Sequence, residues 1–240
     1  IASGDQSGAT ALSTADALRQ SNYSGFDFNT TWYMVDGSTR PFLRMEHSTT
    51  IHHAHQLQLM GLDLTAHYTL ANDLNLGAEL NNASSMWGGM ARDQSAGFVP
   101  IGDNVTAFTG SFDGQGYAID GLTIHRSTTD GVGLFGYAGY GSIISNVRLT
   151  DVDVSGQQYV GGLVGVNSGS ISHSNAAGRV SGGDDVGGLV GFDYGTIDDG
   201  HFDGQVSGAG DVGGLVGRAL GSISHSDAAG EVSGDNNVGG

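Results

Sequence analysis

From Val160 onward the apolar positions obey one rule: short runs of Val, Leu or Ile, each closed by Gly, Ser, Asn or Asp. Val160-Gly161-Gly162-Leu163-Val164-Gly165 recurs at 186–191 and at 212–217, and Val238-Gly239-Gly240 opens the motif again, an interval of 26 residues each time. Other positions keep the same step: Ile171, Ile197 and Ile223; Gly178, Gly204 and Gly230; Val180, Val206 and Val232. Every unit therefore offers three β-type segments and no stretch of helical period. One such unit has nowhere to bury its apolar face. Stacked units do, with Val over Val and Ile over Ile, and they pair strands along the stack at about 4.8 Å per coil. The pattern predicts an all-β chain folded as a right-handed parallel β-helix. A β-propeller, at roughly 40–45 residues per blade, does not fit this period.

Upstream the rule loosens without breaking. A copy beginning at Val132 runs 28 residues to Val160, and the stretch from Phe108 to Ile124 alternates apolar residues with turn signals. Tyr68 to Leu76 reads as a further coil, and the whole chain at this period predicts roughly 9–11 coils. One short N-terminal helix is predicted, because Ser13 and Asp16 are spaced as a capping box ahead of Ala17-Leu18-Arg19-Gln20. The segment His55 to Leu64 suits either a helix or a strand.

Composition supports this picture. The chain has 43 glycines and two prolines, which fits neither collagen nor a proline-rich linker. Of 25 acidic residues 22 are Asp, the eight basic residues are all Arg, and the net charge is −17. Asp is a turn former, so the bias favours loops over helix surfaces. With no basic stripe to meet phosphates, nucleic acid is excluded as a partner. No apolar run is long enough for a membrane span. The absence of Cys removes disulfides, thiolate metal sites and cysteine nucleophiles together.

The G-L-V-G core with its SIS…AAG…VSG continuation resembles the GLUG repeat of large bacterial surface proteins, including filamentous-haemagglutinin-like adhesins exported by two-partner secretion. The stretch from Ile51 to Leu76, with FVPIG and FTGSFDGQGYAIDGLTI after it, is similar to the lead-in of such arrays. Tyr23 to Arg44 looks like a segment that closes one. The resemblance implies three parts: a closing segment at 1–45, irregular β-helix coils at 46–130, and a GLUG array at 131–240, cut from a longer chain at both ends. It also implies a secreted or cell-surface location and a non-catalytic stalk or binding role in cell adhesion or biofilm attachment. The implied partners are a surface glycan or protein, plus an outer-membrane export partner for the full-length protein. Two alternatives stand beside it: a carbohydrate-active β-helix hydrolase or lyase, and the noncatalytic passenger of a surface peptidase.

Within the array a few residues invite chemistry. Asp185, Asp211 and Asp235, beside Asp184, Asn236 and Asn237, fall in one turn of successive coils. Stacked carboxylates repel unless a cation lies between them, and calcium is the natural one, although the calcium-binding nonapeptide is absent. No other cofactor is expected. Tyr159, Phe192, Tyr194 and Arg218 vary between otherwise similar units, which is where ligand recognition would be written. His173, Asp199 and His225 share one repeat position and predict a stacked His-Asp-His ladder. On a strand, His53 and His55 would share a face, with His47 or His67 as a third metal ligand; a solvated or packed role is the blander reading. Asp198-Asp199, or Asp185 with Asp211, would be the acids of a glycosidase. However, Asp is also what folding alone places in turns, and no hydrolase motif occurs, so no enzyme activity is expected. Four glycosylation sequons begin at Asn22, Asn29, Asn82 and Asn104.

Overall fold

A computed structural model of the chain describes residues 12–88 and 96–239. Its strands stack as a parallel β-solenoid of about five turns. The 26-residue step is the register itself. Val160 lies beside Val186, Val186 beside Val212, and Val212 beside Val238. Along the second face Val164, Val190 and Val216 align, and along the third Ile171, Ile197 and Ile223 do so. In each unit the three predicted segments are the three sides of a coil.

The third side is the longest, with strands Ser170–Ser181 and Thr196–Gly208 paired over eleven positions. It bends where the chain adopts positive φ: His173 at +47°, Asp199 at +56° and His225 at +51°. His and Asp tolerate the left-handed region better than most side chains, which gives this column a structural reason for its composition. A second bend falls at Gly178, Gly204 and Gly230, with φ of +140°, +155° and +119°. A Cβ on Gly204 would collide with the carbonyl oxygen of Gly178 in the coil beneath. Only glycine serves there.

The looser upstream copy is explained by register shifts. Arg148 pairs with Asn175 but Val152 with Gly178, so a bulge lies between them, and Asp151 within it has φ +51°. Further upstream the strands Ser111–Asp113, Ala118–Asp120 and Thr123–His125 form the coil beneath, with Phe112 against Ile144 and Ile124 against Val154. Tyr68 pairs in turn with Phe112, as the reading of that segment anticipates.

Two expectations are corrected. Coils number about five rather than 9–11, because parallel pairing begins only at Thr50 and the first turns take in helices and long connections. Residues 32–43 contain an antiparallel pair, Trp32–Tyr33 with Phe42–Leu43. Moreover, the single predicted helix is one of three among the described residues. Helix α1, Thr14–Ala17, is a single turn, capped by Ser13, whose hydroxyl accepts the Asp16 N–H. Helix α2, Ala54–Leu59, continues into a 3-10 turn at Met60–Leu62 and resolves the ambiguous segment. Leu57, Leu59 and Met60 are fully buried on it. Helix α3, Leu76–Asn81, replaces the end of a predicted coil; the Asn75 carboxamide accepts the Ala78 N–H at 2.8 Å and turns the chain into helix. Gln58 fastens α2 to the solenoid, giving its amide to Val99 O and accepting the Val99 N–H and the Trp87 indole N–H. Among the described residues no helix is long and apolar enough to cross a membrane.

Candidate functional site

Tyr159, Asp185, Asp211 and Asn237 form one column, each directly before the first Val of its unit. It is a corner: Tyr159, Asp185 and Asn237 have φ of +56°, +49° and +40°. The next side of the coil carries Phe192, aligned with Val166 below and Arg218 above. These two columns bring Tyr159, Phe192 and Arg218 together, and Tyr194 joins them two residues beyond Phe192. The rings of Tyr159 and Phe192 stack at 5.7 Å, Tyr194 lies 4.2 Å from Phe192, and the Arg218 guanidinium sits 5.4 Å from the Phe192 centroid. Phe192 is buried by its neighbours, whereas Tyr194 is 53% exposed and Arg218 is open to solvent. Arg218 forms no salt bridge among the described residues. The patch thus presents an aromatic face beside an unpaired cation, an arrangement able to stack a sugar ring and pair a carboxylate.

Beside it lies the acidic corner. Asp184, Asp185 and Asp211 converge, with one carboxylate oxygen of each within 4.8 Å of the others. Asp235 is not among them: it sits two residues before Asn237, and Asn237 occupies the column position and donates to Asp211 Oδ1 at 2.7 Å. Asp184 takes the third place because its Oδ1 accepts the backbone N–H groups of Asp185 and Asp211. Asp184 aligns with Gly210 in the next unit, where a Cβ would collide with Asp184 Oδ1. Burial, then the charges of Asp184 and Asp211, push the Asp185 carboxyl up to about 6, opposed by Arg218.

The predicted His-Asp-His ladder is rearranged. Asp199 lies 3.9 Å from His173, but its closer partner is His201 at 3.0 Å, which also pairs with Asp227. His225 turns to Asp198 at 2.7 Å. Hydrogen bonds to these carboxylates raise the proton affinity of His201 and His225, and those from His225 and Ser224 lower that of Asp198. With Asp198 and Asp199 engaged by histidines, they do not present the free pair a glycosidase uses.

At the other end, His53 and His55 converge with Glu46, and His55 Nδ1 lies 3.0 Å from Glu46 Oε2. His47 pairs instead with the Tyr68 hydroxyl and His67 with Ser111. Burial and the neighbouring His55 lower the proton affinity of His53. A cleft of about 700 Å³ opens between the N-terminal segment and the first coils, and Tyr33, Asp103, Arg126, Asp130 and Tyr137 line it. Arg126 was not anticipated from sequence: burial lowers its proton affinity, and among the described residues it donates only to Phe98 O and the Ser38 hydroxyl. The four sequon asparagines are exposed, all of them upstream of the regular array.

The GLUG motif matches residues 156–181 and 208–233. A relative named halomucin, from Haloquadratum walsbyi, is 45% identical over 111 residues, which is 46% of this chain and 1% of that protein. A protein named as a putative Gly-rich membrane protein, from Evansella cellulosilytica, is 35% identical over 110 residues, 45% of this chain and 12% of its own. The chain therefore spans a small fraction of the curated relatives it matches. Among solved structures, a putative immunoglobulin A1 protease from Bacteroides ovatus matches with a TM-score of 0.52 at 19% identity, over 79% of this chain and 62% of that one. At that identity the likeness is one of fold. What the chain shares in sequence with named families is its GLUG repeats, which carry the solenoid register described above.

Proposed function

We propose that this chain is a non-catalytic binding segment of a surface-exposed protein, an adhesin in which the solenoid holds a contact patch away from the cell. The observation that carries this reading is the cluster of Tyr159, Phe192, Tyr194 and Arg218. Four residues that break the repeat sit together, Tyr194 and Arg218 exposed beside a buried Phe192, and the repeat's own needs do not account for them. The GLUG repeats and the surface-protein relatives support the setting. Filamentous-haemagglutinin-type export, cell-surface location and biofilm attachment are parts of the same proposal. The chemistry of the patch favours glycans bearing a carboxylate, stacked on Tyr194 and paired with Arg218.

A glycan array comparing wild type with Tyr194→Ala and Arg218→Gln tests this. Binding of uronate- or sialate-containing glycans, lost by about tenfold in either variant, is the expected result; binding indifferent to both removes the patch from the proposal. The cleft holding Asp103 and Asp130 gives the rival carbohydrate-active reading a concrete form. Hydrolysis of array glycans, abolished by Asp103→Asn or Asp130→Asn, would replace the adhesin proposal with it.

A further inference from the structure

We infer that Asp184, Asp185 and Asp211 together bind one calcium ion at the corner joining two successive coils. The three carboxylates come from neighbouring units and bring one oxygen each within 4.8 Å of the others. Convergence alone does not make a site, because exposed acidic groups can share a turn and simply be screened. Asp185 is different. It is 4% exposed, its Oδ1 is fully buried, and that oxygen has no hydrogen-bond partner among the described residues. A buried carboxylate is normally paired or hydrogen-bonded. Here its nearest company is two more carboxylates.

The surroundings are arranged to hold such a group in place. Asp184 Oδ1 is fixed by the N–H groups of Asp185 and Asp211, and Asp211 Oδ1 by Asn237. Each of these two residues keeps its Oδ2 without a protein donor among the described residues. Gly210 leaves the space that the Asp184 carboxylate occupies. The donors are all oxygen, which suits a hard cation and disfavours zinc. Three carboxylates on an edge open to water suit the flexible six to eight ligands of calcium better than the rigid octahedron of magnesium. Charge closes as well: three carboxylates, one divalent cation and the nearby Arg218 sum to zero. The competing solution is a proton on Asp185, consistent with its raised proton affinity.

Calcium titration of the chelator-treated chain at pH 8, by calorimetry and by thermal unfolding, separates the two. The expected result is one site per chain, with a dissociation constant of about 10⁻⁴–10⁻³ M, as in extracellular modules. At tenfold saturation the unfolding midpoint rises by about 3–6 °C. Asp185→Asn abolishes the calcium response and, in chelator, unfolds no earlier than wild type, because an amide needs no counterion. Asp211→Asn provides a second test should the first variant fail to fold, and Asp203→Asn, an exposed acid elsewhere, keeps the response. Absence of calcium heat up to millimolar concentration, or a response that survives Asp185→Asn or Asp211→Asn, overturns the assignment. The proton on Asp185 would then be the resident charge.

Discussion

Two halves of the same solenoid fill their interiors differently. Upstream of residue 136 the core is aromatic: Trp87, Tyr68, Phe98, Phe108, Phe112 and Phe135 are almost wholly buried, and Phe108 and Phe112 both touch Phe135. Within the array it is mainly a set of aliphatic columns, with Phe202 and Phe192 as its buried rings. Where the coils are uneven, large rings fill irregular gaps. Where they are identical, small branched side chains suffice, because each coil fits the next by construction. Ile171 and Ile197, each with a paired coil on both sides, are 0% and 1% exposed.

This contrast can be broken at either end. The largest effect is expected in the irregular half, where Phe112→Ala removes a ring no neighbour can replace and costs about 3–5 kcal/mol, read by denaturant unfolding. In the array Gly204→Ala forces a Cβ against the Gly178 carbonyl and costs about 1–3 kcal/mol. Because each coil contacts only its neighbours, hydrogen exchange should quicken in the coils on either side of Gly204 while residues 67–125 stay protected. Smallest is the effect of salt. With a net charge of −17, raising NaCl from about 0.1 M to about 1 M shortens the screening length from about 10 Å to about 3 Å. The unfolding midpoint should rise by a few degrees, and the gain should shrink in a variant neutralised at exposed acids of the array.

Most of the array was legible in the sequence because its period is its register. Val160, Val186, Val212 and Val238 could be aligned on paper, and they are partners in space. The meeting of Tyr159 with Phe192 was legible only in part: both break the repeat, but their contact depends on how sharply the corner turns. Side-chain choice at the corners was not legible. His225 prefers Asp198 to Asp199, and Asp184 rather than Asp235 joins Asp185, because left-handed backbone rotates neighbouring side chains away from simple alternation. Helix α3 was hidden for a related reason. Its Asn75 cap follows a Leu-Asn-Leu pattern that also suits a strand, and long-range packing of Leu76 and Leu80 decides between them.

The aligned valines and isoleucines have a genetic consequence. A crossover between two copies of the 26-residue unit inserts or deletes one whole turn, and the newly joined surfaces meet in a fit already used elsewhere in the same molecule. Reach can therefore vary in steps of about 4.8 Å without a fresh interface having to evolve. Substitutions such as Phe192 and Arg218 would be duplicated or shed with their turn, so recombination can revise what the edge displays while the scaffold stays the same.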